Sequence, residues 1–156
     1  MRFHLLRHAH AGDRSRWTGD DADRPLSDKG ERQAAALAGA LADEGVDRLW
    51  SSPYLRCRQT LAPLGRKLGL AIRDEPLLAE GGWGPAALDA LLAEAAAGRR
   101  VAACSHGDVI PAVIATAVRR GAELHGPAEP RKAARYVLEV EAGEVARIVH
   151  VPRPEV

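Results

Sequence analysis

The sequence predicts an α/β fold: a three-layer α/β/α sandwich with a mostly parallel central sheet and an antiparallel edge hairpin. Short apolar segments alternate with longer segments whose apolar residues recur at helical spacing. Such alternation is typical of parallel strands with helices on both faces. The last segment instead alternates apolar and polar residues about Ala142-Gly143, the pattern of a hairpin. A length of 156 residues suits one domain, which we assign to 1–156.

The first elements are defined by local signals. Residues 3–6 are short and apolar, as in a buried strand. Residues 9–23 are polar and rich in aspartate, which favours a loop. Ser27 is placed to cap a helix with apolar residues up to Leu41, and Gly45 stops it.

The remaining elements continue the alternation. We predict a strand at 48–51, a helix from Pro53 to Leu68, a strand at 70–73, a glycine-rich loop at 81–85, a helix at 86–97, a strand at 101–104, a helix at 109–118, and hairpin strands at 135–141 and 145–151.

Composition narrows the class of function. The chain has 22 Lys and Arg against 21 Asp and Glu, so its net charge of +1 argues against a nucleic-acid partner. No apolar run approaches a membrane span, and the two cysteines do not make a disulfide framework. We therefore expect a cytoplasmic protein with no membrane partner, and the sequence does not indicate its oligomeric state.

Polar side chains follow three predicted strands. Arg7-His8 follows the first strand, Ser105-His106 follows the strand at 101–104, and the segment 51–56, which ends in Arg56, follows the strand at 48–51. Ligands of α/β sheets bind just beyond the carboxyl ends of strands, so these residues can face one site. Arginines clamp phosphoryl oxygens bidentately, and an imidazole can attack phosphorus. The pattern indicates phosphoryl transfer with no cofactor and no metal.

Three motifs resemble one family. Leu6-Arg7-His8-Ala9, the segment Ser51-Ser52-Pro53-Tyr54-Leu55-Arg56-Cys57-Arg58-Gln59-Thr60, and Ser105-His106-Gly107 are similar, in that order, to motifs of the histidine phosphatase superfamily. The resemblance implies that His8 is the phosphorylated nucleophile and that Arg7, Arg56 and His106 complete the phosphate pocket. It also implies a carboxylic acid that protonates the leaving oxygen. Glu80 matches that position, with Asp74 and Glu75 as competitors.

The finer resemblance is to the small phosphohistidine phosphatases and to the phosphatase-like domains that follow a Nudix domain in some bacterial proteins. It implies a phosphorylated small molecule or a phosphohistidine protein as the partner. The phosphoglycerate mutases of this family are larger and carry an insertion between the positions of Glu80 and His106 that closes over the substrate. Here His106 follows Glu80 by only about 26 positions, which predicts an open site. We assign substrate binding to Arg14, which stands where the mutases usually have asparagine, and to Arg24, Gly107 and Lys132.

Other interpretations stay open at this point. The protein is alternatively a phosphatase specific for a nucleotide, or a non-catalytic module that binds phosphate. His4, His8 and His10 fall on alternate positions, as the ligands of a metal in a strand would. Cys104 fails as the nucleophile of a Cys-x5-Arg phosphatase, because Ile110 stands where the arginine is needed. Trp17 and Trp83 lie on loops that should border the site.

Overall fold

A seven-stranded mixed sheet forms the centre of the computed structural model, which describes residues 1–156. The strands are β1 (Arg2–Arg7), β2 (Arg48–Ser51), β3 (Ile72–Asp74), β4 (Val101–Ser105), β5 (Glu123–His125), β6 (Arg135–Glu141) and β7 (Glu144–Val151). The helices are α1 (Asp28–Leu41), α2 (Leu55–Leu68), α3 (Gly84–Ala96) and α4 (Val109–Arg119). The predicted fold class is confirmed.

The strand order is β3-β2-β4-β1-β6-β7-β5. The first four strands in this order are parallel, whereas β6 is antiparallel to both β1 and β7. Arg7 at the end of β1 lies beside Ser105 at the end of β4, and Ser51 at the end of β2 lies beside Cys104. The parallel arrangement therefore brings the carboxyl ends of β1, β2 and β4 to one edge.

Each face of the sheet has its own core. Alternate side chains of a strand point to opposite faces, so Phe3 and Leu5 join the core under α3 and α4, while Leu6 joins the core under α1 and α2. Ser27 caps α1 as predicted, because its side chain accepts a hydrogen bond from the Gly30 N–H. The two cores make the predicted three layers.

Some boundaries differ from the prediction. Helix α2 begins at Leu55, after Pro53, and α3 begins at Gly84 inside the predicted loop. Gly84 packs directly on α4, since a Cβ added to it would lie 2.6 Å from the Ala112 Cβ. This close packing accounts for a glycine at the first position of α3. Strand β5 was not predicted. Its three residues pair in parallel with β7, so β5 lies outside the hairpin at that edge.

No helix of this chain combines the length and apolar character that crossing a membrane requires.

Strand β1 contains a buried histidine that makes stability sensitive to acid. His4 is 3% exposed and neither ring nitrogen has a hydrogen-bond partner. Burial lowers its pKa from 6.5 to about 4. Between these values the unfolded chain binds more protons than the folded one, so the free energy of unfolding falls as the pH drops through this window.

His4→Leu should remove this dependence. We expect the loss of unfolding free energy between pH 6.5 and pH 4 to become shallower by up to about 1.4 kcal/mol per pH unit. Urea unfolding at pH 7 and pH 5 measures it. His125→Leu, at a more exposed histidine in β5, is the control. Identical pH dependences for His4→Leu and wild type would contradict the prediction.

Candidate active site

A polar cleft of about 400 Å³ lies at the carboxyl edge of the sheet, beyond β1 and β4. The backbone N–H of His8 donates to the Ser105 carbonyl across these strands, and the His8 and His106 ring centres are 5.4 Å apart. No apolar side chain lines the cleft. Its lining residues are Arg7, His8, Gly12, Arg14, Arg24, Glu80, His106, Gly107, Asp108 and Lys132.

The imidazole of His8 is held neutral and in one tautomer. Its Nδ1 lies 2.9 Å from the Ala9 carbonyl oxygen, which only accepts, so Nδ1 carries the proton. Burial above all, together with Arg56, His106 and Arg7, lowers the pKa of His8 to about 3, although the Ala9 hydrogen bond raises it. A neutral ring protonated at Nδ1 has its lone pair on Nε2. His8 therefore has the electronic form of a nucleophile.

His106 is held from one side of its ring. Its Nε2 lies 2.8 Å from the Ser52 Oγ. Because that oxygen already accepts from the Tyr54 N–H, we assign its hydroxyl proton to the bond with the His106 Nε2. The Tyr54 ring packs edge-on against it at 4.8 Å. With Nε2 accepting, a neutral His106 carries its proton on Nδ1, which is buried and has no partner in the protein. That unused donor is suited to an oxygen of a bound anion.

Arg7 lies against the backbone of Gly107. A Cβ added to Gly107 would lie 2.8 Å from the Arg7 Cζ, so a larger residue there would displace the guanidinium. One Nη of Arg7 donates to the Pro130 carbonyl at 2.8 Å, and no carboxylate lies within ion-pair distance of it. The guanidinium is thus oriented by neutral contacts, and its charge remains available to an anion.

Arg56 lies behind the cleft and does not line it. Its side chain is fully buried, donates to the backbone oxygen and the carboxylate of Asp21 at 2.8 and 3.0 Å, and lies 3.6 Å from a Glu80 oxygen. It also lies over the Tyr54 ring. Asp21 accepts from Arg24 as well, and Arg14 is 3.4 Å away, so one carboxylate joins three arginines.

The three predicted candidates for the acid are separated by the structure. Glu80 lines the cleft and accepts from Arg14 at 2.6 Å. Asp74 pairs with Arg58 at the surface, and Glu75 accepts from the Leu77 N–H. Neither Asp74 nor Glu75 lines the cleft.

Asp108 is a cleft carboxylate that sequence reasoning missed. Its two oxygens accept from the backbone N–H groups of Val109 and Gly81, at 2.9 and 2.7 Å. The second contact ties the loop that carries Glu80 to the start of α4. Asp108 directly follows the Ser105-His106-Gly107 motif, which was the available signal.

Lys132 and Arg24 make the far side of the cleft positive. No carboxylate lies within ion-pair distance of Lys132, and burial, then Arg7, Arg24 and Arg56, lowers its pKa. Arg24 is fixed by the Ala11 carbonyl at 2.6 Å and by Asp21 at 3.0 Å. Every residue predicted to bind substrate lines the cleft, namely Arg14, Arg24, Gly107 and Lys132.

Comparison with known proteins identifies the family of the chain. The family model of the histidine phosphatase superfamily, branch 1, matches residues 3–87, more than half of the chain. The chain belongs to the histidine phosphatase superfamily.

Individual relatives differ in what they act on. An 8-oxo-(d)GTP phosphatase of Mycolicibacterium smegmatis is 34% identical over 154 residues, which is 97% of this chain and 48% of that protein. The chain thus spans about half the length of that relative. The protein histidine phosphatase SixA, solved with tungstate, has a TM-score of 0.77 at 23% identity, covering 97% of this chain and 94% of SixA. The alpha-ribazole phosphatase of Shigella flexneri has a TM-score of 0.72 at 16% identity, covering 100% and 99%. These two structures show the fold.

Several residues of the superfamily motifs position others. Thr60 Oγ1 accepts from the Ala9 N–H at 2.9 Å and donates to the Arg56 carbonyl, which links the segment after His8 to α2. The Gln59 side chain accepts from the Leu26 N–H at 2.8 Å. Ser52 holds His106 as described. The chain carries these residues in one segment because α2 packs beside the cleft.

The metal interpretation of His4, His8 and His10 is not supported by the geometry of this chain. No group of three or more His, Cys, Asp or Glu side chains is placed to hold a metal ion. His4 is buried within β1, and the His10 Nδ1 lies 2.6 Å from the Ser27 Oγ. The inference from alternate positions in a strand does not hold, because His10 lies beyond the end of β1.

Proposed function

We propose that the protein is a metal-independent phosphatase that forms a phosphohistidine at His8. One observation carries the proposal: a neutral His8, protonated at Nδ1, lines a cleft with Arg7 and Lys132, two cations without a carboxylate partner. Because the pKa of His8 is about 3, its nucleophilic form dominates at neutral pH.

In the first step the Nε2 lone pair attacks phosphorus, and the bond from phosphorus to the leaving atom breaks. The charge of the transition state lies on the three equatorial oxygens, where Arg7, Lys132 and the Nδ1–H of His106 provide positive charge or a donor. A Glu80 side chain that is protonated when substrate is bound gives its proton to the leaving atom, and Arg14 and Arg56 then pair with the carboxylate that forms. Arg56, which lies behind the cleft, adds positive charge near the phosphoryl group.

In the second step water attacks the phosphorus of phosphohistidine. Glu80, now a carboxylate, takes a proton from that water and so regains its acid form, and the phosphorus–nitrogen bond breaks. The step releases inorganic phosphate and restores neutral His8. Glu80 and His8 thus regain their starting protonation states, and the cycle is closed.

The open cleft is compatible with two groups of candidate substrates. A phosphohistidine protein or a small phosphate ester fits a site without an apolar wall. A nucleotide is the second candidate, favoured by the similarity to the 8-oxo-(d)GTP phosphatase along nearly the whole chain.

Phosphate release in EDTA tests the proposal. We expect turnover of p-nitrophenyl phosphate, a phosphohistidine protein or a nucleoside diphosphate, with competitive inhibition by vanadate. Glu80→Gln should slow an alkyl phosphate more than p-nitrophenyl phosphate, whose leaving group needs no proton. Glu75→Gln is the matched control outside the cleft. Stoichiometric phosphate binding without release would instead indicate a binding module, and an absolute need for a divalent metal would contradict the mechanism.

A further inference from the structure

A second cavity, of about 270 Å³, adjoins the catalytic cleft. The two share Gly12 and Arg24 as lining residues, so they lie side by side at the Arg24 side chain, and the second is the more open of the two. The catalytic cleft has no apolar lining, whereas this cavity is walled by Ala11, Trp17 and Leu26. A ligand that spans both must be anionic at one end and apolar at the other.

The indole of Trp17 is fixed as a platform in this cavity. Its Nε1 donates to the Asp20 carbonyl at 2.8 Å. Gly19 lies so close beneath the ring that a Cβ there would be 3.2 Å from the Trp17 Cζ2 and Nε1. The side chain is nevertheless 38% exposed. A large ring that is held in place and partly exposed loses little conformational entropy when a flat group stacks on it.

The rim of the cavity is polar. Asp13, Arg16 and Ser27 line it beside the apolar walls. Asp13 is itself held by the Ser15 N–H and hydroxyl, at 2.9 and 2.8 Å, so its carboxylate is oriented. A group that is apolar on its faces and polar at its edges matches this combination, and a nucleobase has that character.

The positive charges near the two cavities indicate which group the base is attached to. The cleft offers Arg7 and Lys132 without carboxylate partners, and Arg24 lies where the two cavities meet. Arg7 and Lys132 together match the charge of one terminal phosphoryl group, and Arg24, although paired with Asp21, lies where a further phosphate would pass. A chain of two or three phosphates would pass Arg24 and bring its terminal phosphorus to His8.

We propose that the Trp17 cavity binds the base of a nucleoside di- or triphosphate by stacking, and so makes Trp17 a specificity residue. The proposal rests on the proposed function, because it uses the same phosphate cleft.

Binding to the His8→Ala protein tests the proposal without turnover. Calorimetry compares the dissociation constants of guanosine diphosphate and inorganic pyrophosphate, which lacks a base. Stacking of one base on an aromatic ring contributes enough that Trp17→Ala should lower the preference for guanosine diphosphate about tenfold. Trp17→Phe, which keeps a flat ring, should retain most of it.

Trp83→Ala is the matched control, because Trp83 is 70% exposed and lines neither cavity. It should leave the preference unchanged. Equal affinities for guanosine diphosphate in Trp17→Ala and Trp83→Ala would overturn the proposal, as would a Trp17 dependence seen only with a phosphohistidine peptide. Phosphate release by the wild-type protein tests catalysis separately, so either proposal can fail alone.

Discussion

His8→Ala is expected to lower kcat for phosphate release by roughly 10³-fold or more, because no other group can form the covalent intermediate. The Nε2 of His8 carries the lone pair, since its Nδ1–H is used by the Ala9 carbonyl. His106 contacts Ser52 through its own Nε2. The protein is mixed with a phosphate ester labelled in its phosphoryl group and quenched rapidly without acid. Labelled phosphohistidine should be found on wild type and none on the variant.

His125→Ala is the control for this experiment, since His125 lies on β5 beside Glu123 and lines no part of the cleft. Its kcat should equal that of wild type. Thermal unfolding of all three proteins checks that His8→Ala is folded. A His8→Ala protein that keeps more than about a tenth of the wild-type rate would exclude His8 as the nucleophile.

Arg56→Lys is expected to lower kcat/KM about 100-fold, the scale seen when a change outside the cleft shifts the groups that position the substrate by about 1 Å. Lysine keeps the positive charge but lacks the fork that reaches both the backbone oxygen and the carboxylate of Asp21. Since Asp21 also contacts Arg24 and lies near Arg14, its displacement would disturb both arginines. Steady-state kinetics with p-nitrophenyl phosphate measure the effect.

Arg58→Lys provides the matched control on the same helix. Arg58 is partly exposed and pairs with Asp74 at the surface, an interaction of small value. Its kcat/KM should stay within about twofold of wild type. If Arg56→Lys and Arg58→Lys behave alike, then Arg56 does not contribute to catalysis through its buried contacts.

The position of Glu80, the proposed acid, shows where sequence reasoning reached its limit. The residues 74–80 contain three acidic side chains within one short stretch. Only Glu80 lines the cleft, because one turn of 3₁₀ helix at Pro76–Leu78 and the contact of Asp108 with the Gly81 N–H direct the loop there. The Asp108 contact is not visible in local sequence, since Asp108 lies 27 positions from Gly81.

Asp21 illustrates the same limit more strongly. It is one of several aspartates in the polar segment 9–23, and nothing in the sequence separates it from its neighbours. Its role depends on Arg56, which lies 35 positions later on α2. The tryptophans behave likewise: Trp17 lines a cavity beside the cleft and Trp83 does not, although both lie on loops expected to border the site.

The sequence by itself determined the fold class, the strand ends that carry His8 and His106, and the helix cap at Ser27. These follow from periodicity, chain order and short-range hydrogen bonds, which local residues specify. Only the tertiary structure decided that β5 lies beyond the hairpin, that Asp21 joins three arginines, and that Glu80 faces the cleft. These depend on packing and charge pairing between residues distant in the chain, which no local pattern encodes.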